Sequence, residues 1–205
     1  MKQNLIYILL CYLMSSCTTT DQQIEVGKEE QEEAPVKNEK AHQDFDYSKF
    51  PIKKGQLGDI KIGMTILEAE EKFSGLRKET GQATDFGYGG GSPAYLYYSN
   101  NKVVFGLITT LDTDTVLFII AADPALRTAN GLSPNSTVKE VLGVYPTMKV
   151  HQDLMNGWEY FYDTANDWDF IFMTDATRQV GNYSELEVPS EPKTVGIKAN
   201  WITIK

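Results

Sequence analysis

Two segments carry apolar residues at helical spacing, and the same polar signal opens each one. Ile66, Ala69 and Phe73 fall at i, i+3 and i+7, while Val138, Val141, Leu142 and Tyr145 fall at i, i+3, i+4 and i+7. Thr65 and Glu68 open the first and Thr137 and Glu140 the second, each pair forming a capping box in which threonine and glutamate satisfy each other's backbone N–H groups. Gly75 and Gly143 stand near the expected helix ends. Ile60 and Leu132 precede the boxes at matching distances, so the two segments read as copies of one unit.

Apolar and aromatic runs separated by polar turns follow each helix. In the first copy these are Tyr95 to Tyr98, Val103 to Leu107 and Thr115 to Ala121; in the second, Trp158 to Tyr162, Phe170 to Met173 and Thr194 to Ile204. Their short connections make the strands antiparallel. The pattern predicts an α+β fold of two tandem helix-plus-antiparallel-sheet repeats, the first spanning 50–122 and the second 123–205.

The N-terminal part is patterned differently. Lys2 precedes an apolar run from Leu5 to Met14, too short to cross a hydrocarbon core of roughly 30 Å as a helix, so it reads as a secretory signal over 1–16. Ser15-Ser16-Cys17 at its end resembles the lipobox of bacterial lipoproteins, which implies lipidation of Cys17 and anchoring to a membrane through acyl chains. Thr18 is not the aspartate associated with inner-membrane retention, so the resemblance favours the outer membrane. Residues 17–49 then form an acidic tether, with nine acids against four bases between Thr18 and Lys49 and too few aliphatics to bury.

Within the first copy, Gly58-Asp59-Ile60-Lys61-Ile62-Gly63-Met64-Thr65 with Glu68 resembles the signature of the SmpA/OmlA, or BamE-like, group of small envelope lipoproteins. The second copy follows it loosely, with Asn135 and Ser136 in place of Gly63 and Met64. The tandem arrangement is similar to the β-lactamase inhibitor protein fold, whose curved sheet grips another protein. That resemblance implies a protein-binding module in the cell envelope without a catalytic residue.

Composition narrows the chemistry. A net charge of -9, from 28 acids and 19 bases, argues against nucleic acid, which requires a basic stripe. Both cysteines, Cys11 and Cys17, lie in the export region, so the folded part has neither a disulfide nor a thiol nucleophile. His151 is its single histidine, too few for a zinc site and without a nucleophile elbow to serve. The acidic clusters Asp112 with Asp114, and Asp163 with Asp167 and Asp169, read as turn residues, lacking the glycine and distal glutamate of a calcium loop. No metal, cofactor or catalytic residue is expected. The run Gly87 to Pro93 lacks the lysine and following helix of a phosphate loop and reads as a loop before a strand.

Aromatic residues carry the strongest functional signal. Trp158, Tyr160 and Tyr162 alternate along one strand, as do Tyr95 and Tyr97 along the matching strand of the first copy. A sheet face rich in Tyr and Trp has the composition of a binding hot spot, and core packing is the competing reading. The leading expectation is a lipid-anchored, non-enzymatic envelope protein, in outer-membrane assembly or maintenance, that uses these five residues to bind a protein partner. The alternatives are an inhibitor or immunity protein against an enzyme, and an acid-dependent glycan hydrolase.

Overall fold

The computed structural model describes residues 45–205. The signal peptide, Cys17 and all of the tether before Phe45 lie outside the described residues. No helix among the described residues is long and apolar enough to cross a membrane.

The chain enters the fold at Phe45, placed in the tether by composition, which stacks on Phe50 with ring centroids 4.5 Å apart. Three short strands follow, β1 (Ile52–Lys53), β2 (Gln56–Leu57) and β3 (Ile60–Lys61), forming a small antiparallel sheet. Gly58 turns β2 into β3 at φ +57°, and a Cβ there would stand 2.4 Å from the Lys49 carbonyl oxygen. The first glycine of the signature is therefore a backbone requirement.

Both capping boxes form as expected, at α1 (Ile66–Glu70) and α2 (Val138–Val144). The helices have only five and seven residues, and Phe73 and Tyr145 lie beyond them. Between and after them run β4 (Arg77–Gln82), β5 (Pro93–Ser99), β6 (Lys102–Thr109), β7 (Val116–Ala121), β8 (Val150–Asp153), β9 (Trp158–Asp163), β10 (Trp168–Phe172) and β11 (Trp201–Ile204). These eight strands make one antiparallel sheet in the order β4-β5-β6-β7-β11-β10-β9-β8.

The expected α+β class, with two tandem helix-plus-antiparallel-sheet repeats, is overturned. The described residues are mostly β, with a sheet of three strands, a sheet of eight and two α-helices of one or two turns among them. A capping box fixes where a helix starts, not how far it runs, and helices this short are held by packing rather than by their own hydrogen bonds. The sheet is also larger than the apolar runs suggested, because β4 reads Arg-Lys-Glu-Thr-Gly-Gln and β8 reads Val-His-Gln-Asp. Both are edge strands, where polar residues guard the hydrogen-bonding row that the sheet leaves open, and on β8 the bridge from Val150 to Ser190 closes part of it. The strands of the two halves do not form separate sheets, since β7 pairs with β11 through Ile119, Ile120 and Ala121 opposite Ile204, Thr203 and Ile202.

Strand parity divides the core in two. On the first face, Tyr97, Phe105, Ile119, Ile202, Phe170 and Phe161 pack with Ile66 and Ala69 of α1 and Val138 and Val141 of α2. On the second face, Ala94, Ile108, Ile120, Trp201, Ile171 and Trp158 form a smaller cluster, against which Phe86 and Tyr88 of the β4–β5 connection pack.

Candidate binding cleft

The five aromatic residues singled out by sequence do not share a face. Tyr95 and Tyr97 belong to the first face, with the helices. Tyr97 is 1% exposed, sits against Phe73 edge to face at 4.8 Å and donates from its hydroxyl to Glu70 Oε1 at 2.8 Å. Lys78 Nζ reaches the same Glu70 oxygen at 2.7 Å and lies 4.4 Å from the centroid of the Tyr95 ring. Burial pushes the Glu70 carboxyl up, but the hydrogen bonds from Lys78 and Tyr97 outweigh it and hold the carboxyl below its ordinary range. Tyr95 and Tyr97 thus tie α1 to the sheet.

Trp158 and Tyr160 belong to the second face, and Tyr162 follows by strand parity. Trp158 is buried edge to face against Trp201 at 5.2 Å. Tyr160 is half-buried and stacks on His151 of the edge strand at 5.2 Å. Burial lowers the His151 pKa, and the nearby Asp169 charge partly restores it.

The glycine-rich connection does not hang free; it folds over this second face. Phe86 meets Trp201 edge to face at 5.5 Å, and Tyr88 stacks on Phe118 at 4.1 Å. Gly87 joins them at φ +83°, where a Cβ would stand 2.6 Å from Trp158 Cζ2. Only glycine lets the backbone turn this tightly against the indole.

Between that connection and the β8–β9 hairpin lies a cleft of about 410 Å³ whose lining includes Tyr88, Trp158, Tyr160, Asp169, Thr203 and Lys205. Asp169 stands opposite Thr203 on one neighbouring strand and Tyr162 on the other. Its Oδ2 takes Lys205 Nζ at 2.5 Å, and its Oδ1 is buried with no donor among the described residues. Burial raises the Asp169 pKa, and the Lys205 ammonium offsets this only in part. Lys205 also lies 5.1 Å from the Tyr162 ring centroid, while the Tyr162 hydroxyl donates to Asp167 Oδ1 at 2.9 Å.

The other acids behave as turn residues. Asp163 accepts from the backbone N–H groups of Ala165 and Asn166, and Asp112 sits in a turn at φ +58°. No group of three or more His, Cys, Asp or Glu side chains among the described residues is placed to hold a metal ion. Glu159, 2% exposed on the first face, accepts from the Val180 and Gly181 N–H groups and from the Thr174 and Tyr183 hydroxyls. It organises the segment leading toward β11.

Sequence reasoning did not single out Asp169, Lys205, Tyr88 or Thr203 for this site. The signal for Asp169 was its position in Trp168-Asp169-Phe170-Ile171-Phe172, a charge inside a fully buried strand. Compared with known proteins, the chain matches no family model, no curated protein and no solved structure.

Proposed function

We propose that this chain is a lipid-anchored, non-enzymatic protein of the bacterial cell envelope that binds a protein partner on the second face of its large sheet. The cleft carries this reading, because it combines the aromatic walls of Tyr88, Trp158 and Tyr160 with an acidic lining of Asp153, Asp169 and Glu187. The export segment and Cys17 support an outer-membrane anchor, and the Gly58 to Glu68 signature supports the likeness to SmpA/OmlA lipoproteins. A role as inhibitor or immunity protein is the second reading. It is favoured by the acidic lining, where Asp153, Asp169 and Glu187 outnumber Lys205, since such a surface complements a basic enzyme.

Two measurements test the proposal. Metabolic labelling with a palmitate analogue is expected to mark the wild-type chain and to be lost in Cys17→Ala; label retained in that variant refutes the anchor. A photo-crosslinker at Tyr160 is expected to capture one defined envelope protein, whereas the same probe at Lys139, exposed on α2, does not. Equal capture from both positions would remove the second face as the binding surface.

A further inference from the structure

The outer side of β4 is an open hydrogen-bonding row. Among the described residues no strand or bridge meets it, whereas the other edge strand, β8, exchanges backbone hydrogen bonds with Ser190 through Val150. β4 pairs with β5 along its whole length without a break in register, so the row is regular as well as open. Parity decides which groups face outward. The Ala83 N–H donates to the Ser92 carbonyl, and Gln82 stands opposite Pro93, which has no N–H to give. Antiparallel pairing alternates, so Arg77, Glu79 and Gly81 bond to β5 while Lys78, Thr80 and Gln82 turn their N–H and C=O groups outward. Lys78, Thr80 and Gln82 are exposed.

We propose that β4 pairs antiparallel with β4 of a second copy of this chain, with Thr80 against Thr80 at a two-fold axis. Such an axis continues the sheet from one copy into the next and keeps every side chain on its own face, so each residue meets one of the same parity. Centring the pair on Lys78 sets ammonium against ammonium, and centring it on Glu79 sets carboxylate against carboxylate, both destabilising. Centring it on Gly81 carries Lys78 past the end of the partner strand. The Thr80 centre sets Lys78 opposite Gln82, Glu79 opposite Gly81 and threonine opposite threonine, with no like charges directly across. In that register every outward N–H and C=O of both strands finds a partner. The polar side chains that exclude an apolar strand are therefore compatible with their own copy in one register. Lys78 and Glu79 are held within their own chain by Glu70 and Arg77, which leaves the backbone row to drive pairing. One short strand buries less than a standard interface, so the dimer is weak and forms as local concentration rises. No β4 residue lines the cleft, so a dimer carries two clefts, whatever each of them binds.

The test follows the purified full chain by sedimentation equilibrium and residue-resolved amide exchange from micromolar to near-millimolar concentration. A concentration-dependent dimer is expected. As it forms, the Lys78, Thr80 and Gln82 amides slow, while the Arg77, Glu79 and Gly81 amides, already bonded to β5, do not change. Thr80→Pro removes an outward N–H that the single chain does not use, so the fold is kept and dimerisation is expected to weaken about tenfold or more. Gln82→Glu, opposite Lys78, is expected to strengthen pairing a few-fold, and Gln82→Lys to weaken it by a similar factor. A chain that stays monomeric throughout overturns the proposal, as does a dimer that Thr80→Pro leaves intact. An equal response to both Gln82 variants overturns the register. Should Thr80→Pro not fold, the wild-type amide pattern decides, with a dimer that leaves Lys78, Thr80 and Gln82 unprotected as the refuting result. In cells, a photo-crosslinker at Thr80 is expected to capture a second copy of this chain, and capture of a different chain in its place overturns the choice of occupant.

Discussion

Single residues show where fold and function pull apart. Glu159 and Asp169 are both buried acids on neighbouring strands, yet Glu159 receives four hydrogen bonds while one Asp169 oxygen receives none from the described residues. Glu159 is structure. Asp169 is strain kept in a cleft, and its pH dependence follows from its raised pKa. The folded state holds the Asp169 proton to higher pH than the unfolded chain does, so stability falls as pH rises from the ordinary carboxylate range through the raised value. Asp169→Asn is therefore expected to raise Tm at pH 7, with the gain shrinking as the pH approaches 4. Thermal melts of both proteins at the two pH values check this, and a lower Tm for the variant at pH 7 would contradict it. The alternation of Trp158 and Tyr160 along β9 matches their common place in the second-face cluster. Parity did not say which side of the sheet Tyr95 and Tyr97 occupy. That was decided by Glu70 and Lys78, which give the Tyr97 hydroxyl a buried acceptor and the Tyr95 ring a cation.

At the scale of elements, what announces itself in sequence is what obeys a local rule. The capping boxes at Thr65 and Thr137 depend on contacts three residues apart, and both form. Helix ends depend on tertiary packing, and so Phe73 and Tyr145 fall outside the helices. The edge strands β4 and β8 show no apolar alternation because half of an edge strand's duty is to discourage pairing with other chains. The β4–β5 connection was legible as a glycine-rich loop, but its seat on the second face depends on Phe86 and Tyr88 meeting Trp201 and Phe118, far away in sequence. Gly87→Ala tests that seat. The added methyl group meets the Trp158 ring at 2.6 Å, in a backbone conformation that disfavours alanine, at a cost of about 1–3 kcal/mol. The expected result is a connection lifted off the sheet, seen as faster amide exchange across residues 83–92 and a red-shifted tryptophan emission. Unchanged exchange there would show that the seat does not depend on Gly87.

The whole molecule is governed by one seam. The strands before α2 end in β7 and those after it end in β11, and the sheet is continuous only because these two pair at its centre. Parallel reading of two similar segments in the sequence could not reveal this joint, since it links residues near 120 with residues near 203. The β7 side of the joint is apolar on both faces, with Ile119 and Ala121 turned to the helices and Ile120 to the second face, while β11 turns Ile202 and Ile204 to the helices and Trp201 and Thr203 to the second face. Opening it would expose two long edges of a kind that natural sheets avoid. The eight strands should therefore unfold together rather than as two halves. Ile202 stands between Ala121 and Phe170 in the seam and is fully buried. Ile202→Ala is expected to cost about 2–5 kcal/mol, the range for removing a large aliphatic side chain from a packed core. Hydrogen exchange should then accelerate in β5–β6 and in β9–β10 to the same degree, because both report the opening of one cooperative sheet. Protection lost in β9–β10 alone would mean that the halves are energetically separate, and the cleft would then rest on the second half without support from the first. Equal loss would tie the seating of Tyr88, which comes from the first half, to the strands that carry Trp158 and Asp169.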